Sequence, residues 1–247
     1  MTDGRGDMND ASGGITDARG DREGPPAVPT AWVVGASGAW GRAIALDLLR
    51  RGWDVVALGR REAPDLAAWA ARLGRAWTFV ALDLAAAGSA TAALPAATPD
   101  ALFVASAATG PDRAAITSVG FLGPAALIEA TVMRMRGRGR GRIGVLVGQN
   151  GRLGMAGLGD FSAAQGALWT WAEALASELA DGSDDVRLTV VIPGRTASAT
   201  QRFVAERSGR RARLRPPKAG PLVEAVLAGR RRGGRRPLAA AALMAIR

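Results

Sequence analysis

The residues best suited to chemistry in this 247-residue chain are the glycines of Gly35-Ala-Ser37-Gly38-Ala-Trp40-Gly41, which follow the short apolar run Ala31 to Val34. Glycines so placed let a backbone turn tightly, approach a pyrophosphate and pack a following helix against a strand, while the helix N-terminus stabilises the anion. A second apolar run ends in Gly59-Arg60-Arg61. At the end of a second strand an acidic residue would favour NAD and an arginine favours a 2′-phosphate, so Arg60 points to NADP(H) over NAD(H).

What is missing narrows the chemistry as sharply. The chain has no His, no Cys and no Tyr, and Lys218 is the lone lysine among 32 basic residues. Thiol nucleophiles, disulfides, zinc sites of the usual kind and Ser-His-Asp triads are excluded, and no metal is expected. An acid or base must be Asp, Glu, Lys218, a terminus or something bound. Lys218 follows Pro216-Pro217 after an arginine-rich stretch and reads as a solvated lysine rather than a Schiff-base former.

The formal charge of +10 invites a nucleic-acid reading. The distribution argues against it, because none of the runs Arg134 to Arg142, Arg202 to Arg215 and Arg230 to Arg236 alternates with stacking aromatics. They read as solvated surface. Residues 1–28 mix charges, Gly and Ser without an apolar core, so they read as a disordered extension and not an export signal. Leu238 to Ile246 is too short to span a bilayer. A cytoplasmic protein without membrane attachment is expected.

The elements that must position these residues come from periodicity. Short apolar runs alternate with Ala- and Leu-rich amphipathic segments, the signature of βαβ units. Strands are predicted at Ala31–Val34, Asp54–Leu58, Thr78–Leu82, Ala101–Ala105, Ile143–Val147 and Leu188–Ile192, with a seventh near Pro237–Ala241. The clearest helices are Gly41–Arg51, Leu66–Leu73, Asp112–Met135, Phe161–Ala180 and Pro221–Leu227. Residues 29–247 are thus expected to form one α/β domain, a doubly wound Rossmann-type parallel sheet of about seven strands with helices on both faces. Its ligand crevice should lie at the carboxyl ends of the strands.

From Ala31 nearly to the C-terminus the chain resembles the short-chain dehydrogenase/reductase family. The glycine loop has the spacing of its extended or atypical members, with Ala39 where standard members have a middle glycine. Asp83 resembles the adenine-side Asp, GRIGVLV the strand that leads to the catalytic Ser, and Pro193-Gly194-Arg-Thr196 the Pro-Gly motif beside the nicotinamide. The resemblance implies an NADP(H) site formed by Gly35, Ser37, Gly38, Trp40, Gly41, Arg60, Asp83, Ala105 and Thr196. Trp40 would be part of the cofactor-side wall.

The family's chemistry rests on an Asn-Ser-Tyr-Lys tetrad, and none of the four is matched. DFSAAQGAL resembles the segment carrying Tyr and Lys, which places Phe161 and Gln165 at those positions; Gly148 falls at the Ser position and Gly120 at the Asn position, where a one-residue shift would offer Ser118 or Val119. Phe161 has no hydroxyl to protonate an oxygen, and Gln165 has no cation. The replacements predict a larger, less polar, uncharged crevice. The polar candidates there are Ser106, Gln149, Asn150, Asp160, Ser162 and Gln165. Asp160 reads first as an N-cap and second as an acid or base; Gln149 and Asn150 read equally as pocket contacts or turn residues. Asn150, Gln149, Asp160 and Gln165 form the candidate catalytic set.

Three functions follow. First is a non-redox cyclase or isomerase that holds an apolar small molecule by shape and hydrogen bonding. The alternatives are an NADP(H)-dependent oxidoreductase with a non-standard proton donor, water or Asp160, and an inactive subunit that pairs with an active relative. The basic segment Thr200–Lys218 resembles a substrate-covering loop and suits an anionic or carrier-bound substrate. The helix bearing Trp169 and Trp171 resembles the family's dimer-forming helix, which implies a homodimer or homotetramer, or a hetero-oligomer under the third reading.

Overall fold

The computed structural model describes residues 27–86, 88–193, 196–208 and 215–229. Most of the N-terminal extension, the seventh strand and the run Arg230 to Arg236 lie outside the described residues. Six parallel strands form one sheet in the order β3-β2-β1-β4-β5-β6: β1 (Thr30–Val34), β2 (Asp54–Gly59), β3 (Trp77–Ala81), β4 (Ala101–Val104), β5 (Arg140–Leu146) and β6 (Asp185–Val191). The order reverses between β1 and β4, so the crevice opens where Gly35 and Ala105 leave those two strands.

Helices α1 (Ala39–Arg50), α2 (Pro64–Arg72), α3 (Ser89–Ala92), α4 (Arg113–Thr117), α5 (Gly123–Gly137), α6 (Gly159–Asp181), α7 (Ala199–Ser208) and α8 (Gly220–Leu227) surround the sheet. Both faces of the sheet are covered, which is why the strands read as continuous apolar runs. Along β1 the period of two is explicit: Trp32 and Val34 join one core with Leu127, Ile128, Leu168 and Trp169, whereas Ala31 and Val33 join the other with Ile44, Leu48 and Val223. The run Arg113–Gly137 is long and apolar enough to cross a membrane, but its Leu127, Ile128, Val132 and Met135 are buried in the first core.

Two expectations about the helices need correction. The helix predicted over Asp112–Met135 is interrupted by a π-turn at Ser118–Leu122, between α4 and α5. Pro124 supplies the reason, because it offers no N–H and its ring crowds the carbonyl four residues back, which belongs to Gly120. The segment Thr200–Lys218 carries α7 rather than being loop throughout.

The arginines of the run 134–142 are not simply solvated. Arg134 donates to the Pro95 carbonyl, and Arg138 donates to those of Thr98 and Pro99 and pairs with Asp100. Arg142 donates to the carbonyls of Leu227 and Asp185 and to the Asp185 carboxylate at 2.8 Å. β5 therefore starts three residues earlier than predicted, since Arg140 to Arg142 pair with Asp185 to Arg187.

The hydrogen bond from Arg142 holds the Asp185 carboxyl below the ordinary carboxylate range; burial opposes this in part, and the charges of Arg142 and Arg187 add to it. A depressed folded-state value stabilises the protein above the unfolded value and is lost as pH falls through the folded one. The native chain is expected to melt on the order of 1–3 °C above Asp185→Asn at pH 7, because the pair is solvent-screened. Differential scanning calorimetry should show that gap closing below about pH 4.

Candidate functional site

The glycine loop is built as its spacing predicts. Gly35 has φ +80°, and a Cβ there would stand 3.0 Å from the carbonyl oxygen of Ala105. At Gly41 a Cβ would lie 2.1 Å from the Gly35 carbonyl oxygen, so only glycine lets α1 pack against the turn. α1 begins after Gly38 with no side-chain cap, leaving its first-turn N–H groups directed at the switch point. This uncapped helix end over a glycine cradle fits a nucleotide pyrophosphate.

The other expected cofactor residues are placed unequally. Ser37 is exposed at the tip of the turn, and Arg60 is exposed immediately after β2. Arg42, on α1, is committed to an ion pair with Asp65. Asp83 follows β3 and its carboxylate accepts from the Ala85 N–H, shaping its own turn. Ala105 is half-buried, and its N–H donates to the Val34 carbonyl. Trp40 packs half-buried against the core beneath α1, which ties it to the helix-to-sheet contact rather than to the crevice wall alone. Thr196 is buried, and its Oγ1 has no hydrogen-bond partner among the described residues.

At two of the positions equated with the tetrad, the side chain of one packs onto the backbone of the other. Gln165 is 3% exposed, and its Oε1 accepts from the Gly148 N–H at 2.6 Å. A Cβ at Gly148 would meet that same oxygen at 3.3 Å. The amide thus fills the room that the glycine leaves. Gly120, in the π-turn, serves close packing instead: a Cβ there would be 2.9 Å from the Ala164 Cβ of α6. Bringing two elements closer consumes the volume that a small residue frees.

Asp160 is not the N-cap of α6, whose N-cap is Leu158. It lies in the first turn and accepts from Arg113 Nε at 2.9 Å, joining the starts of α6 and α4. Asn150 is buried in the 3₁₀ turn Gln149–Gly151 and donates to Met155 Sδ, so it organises the turn; Gln149 is half-buried beside it. Ser106 Oγ donates to the Val119 carbonyl at 3.5 Å, at the π-turn. Trp169 is buried beneath the Arg152 guanidinium, 4.5 Å from its ring centroid, and Trp171 is half-buried against the same core. Among the described residues no group of three or more carboxylates is placed to hold a metal.

Two further features complete the site. One is a cavity of about 280 Å³ between the starts of α4 and α6 and helix α7, lined by Thr109, Ile116, Leu158, Asp160, Phe161 and Phe203 among others. Phe203 was passed over because it stands in an arginine-rich stretch, although a lone aromatic there is itself a signal. The other is a set of buried polar atoms without partners, Ser162 Oγ, Gln165 Nε2 and Thr196 Oγ1. All three belong to segments at the carboxyl-end side of the sheet. Buried donors so left are costly unless a ligand or water meets them.

Comparison with known proteins places these features. The fold matches a single-site variant of the actinorhodin polyketide ketoreductase solved with NADPH, with TM-score 0.71 and 18% identity over 81% of this chain and 90% of that one. It matches a 3-oxoacyl-(acyl-carrier-protein) reductase from Agrobacterium tumefaciens with NADP bound, with TM-score 0.67 and 22% identity over 81% and 86%. A short-chain dehydrogenase from Streptomyces avermitilis matches with TM-score 0.68 and 23% identity over 86% and 87%. At these identities the likeness establishes the fold. No curated protein matches the sequence. The profile of the family described as short chain dehydrogenase matches residues 29–209, well over half of the chain. With its glycine cradle at the β1/β4 switch point, this chain belongs to the short-chain dehydrogenase family.

Proposed function

We propose that the chain is an NADP(H)-dependent oxidoreductase whose acceptor takes its proton from water and not from a side chain at position 161. The observation that carries this reading is the intact cradle: Gly35 in a left-handed turn, Gly41 with no room for a Cβ, and an uncapped α1 above them. The solved relatives bearing NADPH or NADP support it. The same relatives favour this reading over a cyclase, for which they offer no support.

When bound, a reduced nicotinamide would supply hydride. This chain's own residues would supply the rest. The first turn of α1 would hold the pyrophosphate, Arg60 the 2′-phosphate, and Thr196 and Gln165 Nε2 would offer neutral hydrogen bonds in place of a lysine cation. Asp160 is engaged by Arg113, and Phe161 carries no proton to give, so water is the remaining donor in this reading.

Calorimetric titration with NADPH and NADH, after a check that no nucleotide copurifies, tests the reading at its base. Selective NADPH binding is expected, followed by consumption of NADPH that depends on an added carbonyl or conjugated acceptor. Absence of binding to either nucleotide would defeat it.

A further inference from the structure

The cavity beside α6 identifies the kind of molecule the site takes. Its bulky side chains are apolar: Ile116 from α4, Leu158 and Phe161 from the start of α6, and Phe203 from α7, the last packed half-buried against the cluster that the other three form, while Thr109 and Asp160 add polar groups. Two aromatic side chains from separate elements thus face one space. Aromatic rings attract other rings by offset stacking or edge contact beyond what area burial gives. Phe161, where its relatives place a phenol by resemblance, presents hydrocarbon alone.

Charge and size restrict the occupant further. Asp160 is the cavity's carboxylate, and its Oδ1 is held at 2.9 Å by Arg113, so its charge is already balanced by a partner rather than free to select a charged ligand. A dry cavity of about 150 Å³ accepts one benzene ring. The space of about 280 Å³ here matches two fused rings.

We infer that this cavity binds a neutral, two-ring aromatic molecule between Phe161 and Phe203, beside an Asp160 already paired with Arg113. The inference deepens the oxidoreductase reading by naming its ligand class, and rests on that reading for turnover but not for binding. It also departs from the anionic substrate suggested by the basic segment after Thr200, because no arginine is among the residues lining the cavity and Asp160, its charged lining residue, is already paired.

Calorimetry on the full chain with 2-naphthol as the probe tests it. Decahydro-2-naphthol supplies the same ring connectivity without aromaticity, and 2-naphthoate adds a negative charge. Expected is roughly three- to tenfold tighter binding of 2-naphthol than of its saturated counterpart, with 2-naphthoate weaker than 2-naphthol. Phe203→Leu, which keeps apolar bulk, should weaken 2-naphthol by a similar factor while leaving the melting temperature and NADPH affinity unchanged. Equal affinity for the aromatic and saturated alcohols, tighter binding of the naphthoate, or indifference to Phe203→Leu would overturn the inference. Binding of NADPH without 2-naphthol would defeat the cavity assignment alone; aromatic, Phe203-dependent binding without NADPH affinity would defeat the oxidoreductase reading alone.

Discussion

Gly41→Ala is expected to abolish measurable NADPH binding and to lower the melting temperature by roughly 4–10 °C. The added methyl would sit 2.1 Å from the Gly35 carbonyl oxygen and 2.9 Å from the Ala36 nitrogen, both backbone atoms that no rotamer change can move. Relief requires α1 to back away from the turn, which carries its N-terminus off the pyrophosphate position. Gly38→Ala is the internal control, because its Cβ would lie 3.2 Å from the same carbonyl and needs only a few tenths of an ångström of adjustment. Its affinity should fall by less than about tenfold with little change in melting. Circular dichroism separates lost binding from lost folding, and a Gly41→Ala protein that binds NADPH normally would show that the cradle is not the nucleotide site.

Arg60→Glu should weaken NADPH by about 100-fold while changing NADH by less than about threefold, since a charge-assisted contact to a phosphate is exchanged for repulsion. The residue is exposed directly after β2, at the edge of the crevice. Arg42 cannot readily take over, being held by Asp65. Raising ionic strength should erode the native preference for NADPH and leave NADH nearly unaffected. Arg61→Glu serves as the comparison and is expected to cost less than about tenfold. A parallel loss for both nucleotides would mean that Arg60 acts on something other than the 2′-phosphate.

Much of the architecture was legible because period-two and helical patterns survive in an Ala-rich chain, and because the glycines between β1 and α1 have a geometric reason to be there. The first six predicted strands fell close to the observed ones except at the starts of β5 and β6, whose early residues include arginine, aspartate and glycine. Backbone pairing there is held by guanidinium contacts, which hydropathy does not register. The π-turn could have been inferred from Pro124 inside an otherwise continuous helix.

The site was harder to read, for a reason particular to Gly148 and Gln165. Each residue considered alone suggests empty space or a lost charge. The pairing of the amide oxygen with a backbone N–H across 17 positions is a tertiary event that no local pattern announces. Asp160 shows the same limit: its first-turn position suggested a cap, and only the fold brings Arg113 of α4 to it.

The Gly148–Gln165 contact also constrains which mutational paths lead away from this sequence. Serine introduced first at position 148 would place its Cβ against the standing amide oxygen. Lysine introduced first at position 165 would remove the acceptor that the Gly148 N–H uses and leave a half-buried donor unmatched. Removing the amide clears the space that a serine Cβ needs, so the cost of a change at position 148 depends on what stands at position 165, epistasis carried by one hydrogen bond. Directed evolution toward a serine- and lysine-bearing site is therefore expected to succeed sooner from libraries that vary both codons at once and also let a neighbouring residue supply the backbone N–H with a new acceptor.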